Sequence, residues 1–263
     1  MARRNNTQIE QVVSAMRNNG GFATLKDLYE LLDFSAWGTE TPEASVRRIV
    51  QEKDVQANRK RFFNIQPGLW GLAESREAVL KQFKLEGLDS GTPAAEARVQ
   101  EFSHTFYQGL IVQIGNMHGE ETFVAKGDQT KEFLGKTLKD VSTLADIYEF
   151  TYQEFLQRAK RIDVIWFNEN RLPSAFFEVE HTTDIQNSLV KFGEFQSFHA
   201  NFYIVAKEER REQFNTLINL ATFLPLRNRV KFFNYENLVK QHEKMSELAN
   251  METIQPATRR RTL

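Results

Sequence analysis

The chain has no cysteine among its 263 residues. Disulfide bonds, thiolate chemistry and cysteine-ligated zinc sites are therefore excluded. The absence suits a reducing compartment, so we expect a cytoplasmic protein. The sequence also lacks an apolar run of about 18 residues, and we therefore expect no transmembrane helix and no membrane partner. Residues 1–6 are basic, but no apolar segment follows them, so no secretory signal peptide is predicted.

A strong net charge is absent as well, since 34 basic residues stand against 35 acidic ones and leave a formal charge of −1. Proteins that bind nucleic acids are often strongly basic, so this balance argues mildly against that class. A basic surface that binds nucleic acid would therefore have to come from local clustering of Lys and Arg. Apolar material is plentiful, with 41% hydrophobic residues and 22 Phe. The length favours two domains, at roughly 100–200 residues per domain.

The composition along the chain indicates four segments. We predict a first domain over residues 1–75, a linker over 76–95, a second domain over 96–245 and a flexible basic tail over 246–263. The linker contains the small polar run Leu88–Pro93, which is typical of turns. The tail contains the consecutive arginines 259–261, which favours disorder.

The apolar periodicity and the capping residues of the first domain predict three helices followed by a β-hairpin. Residues 7–18 carry an apolar stripe and are followed by Gly20–Gly21, a helix-ending pair. Thr24 opens a second helix, and Thr41 before a proline opens a third. Two short β runs flank Pro67–Gly68. This order predicts a winged helix-turn-helix.

The third helix would be the recognition helix of this domain. We expect it to expose Glu43, Ser45, Arg47 and Arg48, and the hairpin to add Arg59, Lys60 and Arg61. Side chains of these types reach base edges and phosphates. We therefore predict contact with double-stranded DNA through Ser45, Arg47, Arg48, Arg59, Lys60 and Arg61. The alternative is a winged helix that contacts another protein.

The first quarter of the chain also resembles a known family, the HARE-HTH winged helix. The matching residues are Gly20-Gly21, Thr24-Leu25, Leu28-Tyr29, Thr41-Pro42-Glu43-Ala44, Val46-Arg47, Phe62, Pro67-Gly68 and Trp70-Gly71-Leu72. The resemblance implies DNA binding or sensing rather than catalysis.

The second domain alternates between helix and strand patterns. We predict helices over 94–115 and 184–199, helical character over 131–161, and strands over 121–125, 161–167, 174–181, 201–206 and 229–234. The order helix, three strands, helix, strand predicts an α/β fold in which helices flank a mixed sheet.

Three acidic residues lie in the two strongest strand patterns. Glu178 and Glu180 are two residues apart and share one face of a strand, while Phe177 and Val179 face the other way. If the two strands pair, Asp163 lies beside the glutamates. Three carboxylates on one face repel each other unless a cation separates them, and oxygen ligands favour Mg²⁺ or Mn²⁺. The plain alternative is a solvated sheet face.

Asp163, followed after a gap of fourteen residues by Glu178-Val179-Glu180, resembles the PD-(D/E)xK nuclease motif. The resemblance implies a restriction-endonuclease-like fold and Mg²⁺-dependent cleavage of DNA, with Mn²⁺ as a substitute. It also implies that Asp163, Glu178 and the Val179 carbonyl bind metal and that Glu180 is catalytic. Glu180 departs from the family, which usually has lysine there. Lys191 is a candidate for a displaced positive charge.

The opening helix of this family often contributes an acid or an amide, and the resemblance makes Gln108 the catalytic counterpart here. His104 lies one turn earlier on the same helical face. It is more simply explained as a core or surface histidine. His104, Gln108 and the run Phe176–Ile185 also resemble a group of bacterial restriction endonucleases.

The combined resemblances imply a sequence- or modification-specific DNA endonuclease that restricts foreign DNA. One acidic site cuts one strand, so cleavage of both strands suggests either a homodimer or two sequential nicks. Two alternatives stay open. One is a DNA-binding regulator with a degenerate, inactive nuclease domain, and the other is a nuclease that acts on RNA or branched DNA.

Overall fold

The computed structural model describes residues 7–52, 56, 59–86, 91–181 and 184–253. The chain forms two compact units. One comprises residues 1–95 together with 243–263, and the other comprises residues 96–242. Within the described ranges, no helix combines the length and the apolarity needed to cross a lipid bilayer.

The first unit contains helices α1 (Gln8–Asn18), α2 (Leu25–Leu31), α3 (Pro42–Gln51) and α4 (Arg76–Gln82). Thr7 and Thr24 cap α1 and α2, each through a reciprocal pair of side-chain and backbone hydrogen bonds. Pro42 opens α3. The three predicted helices are therefore confirmed, and α4 occupies part of the predicted linker.

A small antiparallel sheet completes this unit. Its strands are β1 (Phe22–Ala23), β2 (Phe62–Gln66) and β3 (Leu69–Leu72), in the order β1-β3-β2. The predicted hairpin is β2–β3, and β1 is an additional strand that the sequence pattern did not indicate. The apolar faces of the helices and the sheet share one core, which includes Val12, Met16, Leu28, Val46, Ile49 and Leu72.

The second unit is built on a five-stranded mixed sheet. Its elements are α5 (Pro93–Met117), β4 (Glu121–Val124), β5 (Glu132–Phe133), β6 (Lys136–Thr137), α6 (Leu138–Val141), α7 (Gln153–Ala159), β7 (Val164–Phe167), β8 (Pro173–Glu180), α8 (Ile185–Glu194), β9 (Asn201–Ala206), α9 (Arg211–Ile218), β10 (Val230–Asn234) and the first part of α10 (Tyr235–Thr253). Residues 93–95 of α5 and 243–253 of α10 belong to the first unit. The sheet order is β10-β9-β8-β7-β4. The predicted α/β architecture and the order helix, three strands, helix, strand are confirmed.

The sheet changes direction at β8. Strands β4, β7 and β8 pair antiparallel, whereas β8, β9 and β10 pair parallel. Val164 lies opposite Phe177, so Asp163, one residue before β7, is level with Glu178. On the other side, Glu178 lies opposite Ile204. The central strand thus carries Glu178 between two neighbours, away from both sheet edges.

One face of the sheet packs against α8 and the residue after it through aromatic rings, and Phe192 of α8 lies 5.1 Å from Phe202 of β9. Phe176 of β8 stacks on Phe195 and Phe202 at centroid distances of 5.0 and 5.4 Å. Because side chains alternate along a strand, the face that carries Phe176 also carries Glu178 and Glu180. This packing directs the two glutamates towards α8.

Three boundaries differ from the sequence-based prediction. The region 131–161 contains the β5–β6 hairpin and two short helices rather than continuous helical structure. Helix α8 ends at Glu194 instead of 199, and the following carbonyls of Gln196, Phe198 and Ala200 accept hydrogen bonds from Arg229. Helix α10 runs to Thr253, so a tail beginning at 246 is wrong for its first eight residues; residues 254–263 lie outside the described ranges.

Candidate active site

Glu178 is the most deeply buried carboxylate of the second unit, with 2% of its surface exposed. Its Oε2 accepts hydrogen bonds from Lys191 Nζ at 2.7 Å and from Ser188 Oγ at 3.2 Å. Its Oε1 is buried, and no hydrogen-bond donor reaches it from the part of the chain that the structure describes. A buried carboxylate oxygen without a partner is costly, which makes it a natural position for a cation.

Burial raises the pKa of Glu178 well above its ordinary value, and the neighbouring charge of Asp163 adds to the increase. Lys191 opposes this shift through its charge and its hydrogen bond. Burial by itself would lower the pKa of Lys191, but the charge and hydrogen bond of Glu178 together with the charges of Asp163 and Glu180 outweigh burial and leave that pKa raised. The site therefore favours positive charge beside Glu178.

Asp163 is fixed by the backbone of the central strand. Its Oδ2 accepts a hydrogen bond from the Val179 amide at 2.8 Å, which couples the end of β7 to β8. Burial raises its pKa, while the charge of His104 acts in the opposite direction. The predicted approach of Asp163 to Glu178 is confirmed by the strand register.

Glu180 faces α8, as the strand alternation predicts. Its Oε1 accepts a hydrogen bond from Ser188 Oγ, the same hydroxyl that contacts Glu178. Its Oε2 accepts from the Asp184 amide at 3.2 Å, just before α8 begins. Glu180 thus connects β8 to the start of α8, and it is only partly buried.

Gln108 lies on α5 and is fully buried. Its Nε2 donates a hydrogen bond to Asp128 Oδ2 at 2.7 Å, and not to Asp163 or Glu178. Asp128 was missed by the sequence analysis. It follows β4 in a turn, where no strand or helix period relates it to the other acids. A Cβ at Gly109 would lie 2.2 Å from Phe133 Cδ2, so the glycine lets the Phe133 ring pack against α5.

His104 lies between two aspartates. Its Nε2 is 3.8 Å from Asp128 Oδ2 and 3.7 Å from Asp163 Oδ2. Burial lowers the pKa of His104, but its contact with Asp128 and the charges of both aspartates outweigh burial and raise it. His104 is half-buried with its ring nitrogen directed at the acidic cluster, which the sequence pattern did not indicate.

An open cleft of about 430 Å³ lies at this site, and neither Gln108 nor Asp128 is among the residues that line it. Its lining comprises Ala97, Gln100, Glu101, His104, Lys131, Asp163, Glu178, Val179, Glu180, His181 and Lys191. The structure therefore brings together the predicted residues Asp163, Glu178, Val179 and Glu180 with Lys191, the candidate for the displaced positive charge. Oxygen atoms from carboxylates dominate the donor set, which fits Mg²⁺. The unpartnered Glu178 Oε1 supports that fit.

The predicted recognition face of α3 differs from the expectation. Glu43 is buried, with 3% exposure, and accepts a hydrogen bond from Asn250 Nδ2 at 2.7 Å. Arg47 lies 3.2 Å from Glu247 and 3.7 Å from Glu243. The prediction that Glu43 is exposed is wrong, because the last part of α10 packs against it. Arg48, Arg59, Lys60 and Arg61 are exposed, and Ser45 is half-buried.

Residues 90–258 match the family described as the Type II restriction enzyme NmeDI C-terminal domain. The chain belongs to this NmeDI C-terminal domain family. The match includes every residue that lines the cleft. The assignments of residues 1–75 to HARE-HTH and of the acidic motif to PD-(D/E)xK stay predictions.

A curated relative of this NmeDI-family chain is the Type II restriction enzyme NmeDI of Neisseria meningitidis serogroup C. The two are 28% identical over 130 residues, which cover 46% of this chain and 37% of the relative. The chain thus matches little more than a third of the relative's length. No solved structure matches the chain.

Proposed function

We propose that the protein is a Mg²⁺-dependent DNA endonuclease of the restriction type, with the PD-(D/E)xK arrangement in its second unit. The observation that carries the proposal is the buried Glu178, whose Oε1 meets no donor within the described residues and whose neighbours are Asp163 and Lys191. Such a carboxylate is stabilised when a cation binds. The family match to a restriction enzyme supplies the reaction class.

Asp163, Glu178 and the Val179 carbonyl are the residues that would hold Mg²⁺. When bound, the ion would lower the pKa of a water and offset charge on the scissile phosphate. Ser188 orients Glu178 and Glu180 together, so both carboxylates keep their positions before the substrate binds. Glu180, the more exposed of the two, is the candidate for accepting a proton from the attacking water.

Lys191 supports an active rather than a degenerate site. The motif normally has lysine at the position of Glu180, and the loss of that charge would favour an inactive regulator. Here the Lys191 ammonium lies 2.7 Å from Glu178 Oε2, on the helix that follows β8. In this proposal Lys191 supplies the positive charge that the motif position lacks.

We further propose that the first unit is a winged helix that binds double-stranded DNA. Arg48, Arg59, Lys60 and Arg61 are exposed cations on one helix and next to one strand. Such residues contribute phosphate contacts. Cleavage of both strands by one acidic site per chain would be achieved by a homodimer.

The test is incubation of the purified protein with unmethylated and methylated plasmid or phage DNA, in Mg²⁺ and in EDTA. We expect discrete fragments that require Mg²⁺ and disappear in Asp163→Asn. Asp146→Asn is the matched control, since Asp146 pairs with Lys126 and Lys160 on an exposed surface. DNA binding without cleavage would support the inactive regulator, and cleavage of RNA alone would overturn the DNA assignment.

A further inference from the structure

We infer that Lys131 is a second phosphate-binding cation of the cleft, and that Asp128 holds it where it contacts a backbone phosphate of duplex DNA. The inference rests on the proposed function and adds a substrate-binding residue to it. Lys131 and Lys191 line the cleft together with several carboxylates. Because DNA is a polyanion, a cleft lined by carboxylates takes it up only if cations lie among them. Lys131 comes from the turn between β4 and β5 and Lys191 from α8, so the two ammonium groups reach the cleft from different elements.

The backbone of Lys131 is fixed at both of its polar atoms. Its amide donates to the Asp128 carbonyl at 2.9 Å, and its carbonyl accepts from the Leu138 amide at 2.9 Å. The turn begins directly after β4, where the Asp128 amide donates to the Ala125 carbonyl at 2.8 Å. The side chain of Lys131 therefore leaves a point that is anchored both to β4 and to the start of α6.

The ammonium of Lys131 is held as well. Its Nζ lies 2.7 Å from Asp128 Oδ1, and 32% of the side chain is exposed. An exposed ion pair usually contributes little, because ordering a long side chain costs entropy. Here the carboxylate is itself fixed, since the fully buried Gln108 donates from Nε2 to Asp128 Oδ2 at 2.7 Å. Gln108 thus acts behind Asp128 as a positioning residue and does not touch the substrate.

Asp128 keeps its negative charge at neutral pH. Burial by itself would raise the pKa of this carboxyl, but its contacts with three polar side chains outweigh burial and hold the pKa well below its ordinary value. One of these side chains is His104, whose Nε2 lies 3.8 Å from Asp128 Oδ2 and 3.7 Å from Asp163 Oδ2. The carboxylate that holds Lys131 is therefore connected to the acidic centre. A cation that is placed before the substrate arrives loses less entropy when it binds a phosphate.

The test measures binding of the full chain to a short labelled DNA duplex over a range of salt concentrations, in EDTA and in Ca²⁺. Lys131→Met should weaken binding about fivefold at about 0.1 M salt and reduce the slope of log K against log salt by about one, because one phosphate contact is lost. Lys131→Arg should keep most of the affinity and the slope. Circular dichroism confirms that each variant is folded.

Lys136→Met is the matched control, since Lys136 is exposed on the same segment and lies outside the set of described residues that line the cleft. It should leave the slope unchanged. Equal slopes for Lys131→Met and the wild type, or equal losses in Lys131→Met and Lys136→Met, would overturn the inference. Absence of duplex binding by the wild type in both conditions would overturn it too.

Asp128→Asn tests the positioning role. Removal of a negative charge would by itself strengthen binding to DNA, and Asp146→Asn on an exposed surface serves as the control for that effect. We expect Asp128→Asn to weaken binding instead, because the ammonium of Lys131 is no longer held. Its combination with Lys131→Met should bind no more weakly than Lys131→Met alone, as expected of residues that act together. Binding by Asp128→Asn that is as tight as that of Asp146→Asn would overturn the inference that Asp128 holds Lys131.

Plasmid cleavage in Mg²⁺, measured in parallel, separates this inference from the proposed function. A contact made equally before and during the reaction affects KM, so Lys131→Met should raise KM about fivefold and change kcat less than about twofold. Cleavage by the wild type together with an unchanged salt slope in Lys131→Met means that only the role of Lys131 is wrong. A reduced slope without cleavage by the wild type means that only the proposed nuclease activity is wrong.

Discussion

Lys191 Nζ lies 2.7 Å from Glu178 Oε2 and connects α8 to the central strand at the acidic cleft. The side chain of Lys191 is 39% exposed, whereas that of Glu178 is only 3% exposed. The ammonium therefore contacts solvent while the carboxylate is buried. The cation is therefore accessible from the cleft, while the anion is not free to move. This geometry makes Lys191 the first residue to test.

Lys191→Met should reduce DNA cleavage at least about 100-fold, because it removes a positioned charge that would stabilise the reacting phosphate. Lys191→Arg should retain part of the activity. The measurement is the initial rate of plasmid cleavage in Mg²⁺. Lys160→Met is the control, since Lys160 forms an ion pair with Asp146 at 2.9 Å. Equal rates for Lys191→Met and Lys160→Met would show that Lys191 has no role in the reaction.

Glu178→Gln should stabilise the metal-free protein while abolishing cleavage. The folded pKa of Glu178 is raised, so the folded state holds this proton more tightly than the unfolded state does. Protonated Glu178 therefore stabilises the folded state fully at pH values below its unfolded pKa of about 4.5. This stabilisation is lost as the pH rises through the folded pKa. The amide of Gln at position 178 does not ionise, so the variant lacks the free-energy cost of a buried negative charge at neutral pH.

The measurement for this variant is thermal unfolding in EDTA. At neutral pH we expect a Tm about 2–4 °C above the wild type, which corresponds to about 1 kcal/mol. The difference should shrink as pH falls towards the unfolded value. A lower Tm at neutral pH, with no dependence on pH, would show that the contacts to Lys191 and Ser188 outweigh the burial of charge.

The sequence contained the information for the strands and for the acids on them. Two-residue alternation placed Glu178 and Glu180 on one face, and the apolar run Val164–Phe167 located the partner strand. These are local patterns, in which the period of the strand determines the face. These local patterns identified β7 and β8 as the neighbouring strands that carry the acids.

The other half of the cleft depends on contacts between distant segments. Asp128 lies in a turn after β4, and it reaches Gln108 and His104 only because α5 packs beside that turn. Turn residues have no period that a sequence pattern can use. The burial of Glu43 has the same origin, since Asn250 is more than 200 positions away. Tertiary packing decided both positions.

Arg229→Met should destabilise the second unit by roughly 2–3 kcal/mol. The guanidinium donates to the carbonyls of Gln196, Phe198 and Ala200, and it lies 4.9 Å from the centre of the Phe202 ring. Its loss leaves three carbonyls with fewer donors at the end of α8. Thermal unfolding of full-length protein is the measurement, and we expect a clearly lower Tm.

Arg227→Met is the control for this substitution, because Arg227 is exposed two residues earlier. It should change the Tm by no more than about 1 °C, as expected for a surface substitution. Matching Tm values for the two variants would show that the carbonyl contacts of Arg229 contribute little to stability.

Glu243→Gln combined with Glu247→Gln should strengthen DNA binding by the first unit. Both carboxylates lie within 4.0 Å of the Arg47 guanidinium, so they neutralise the cation that we predicted to contact DNA. Removal of two negative charges frees Arg47 for a phosphate or a base and lowers repulsion. Binding to a labelled duplex, measured in EDTA at several salt concentrations, should tighten severalfold and show a steeper salt dependence.

Glu30→Gln is the control, since Glu30 pairs with Lys26 on the surface of α2. If the double variant binds no better than this control, α3 does not contact DNA through Arg47, and the exposed cations Arg59, Lys60 and Arg61 become the surface to test.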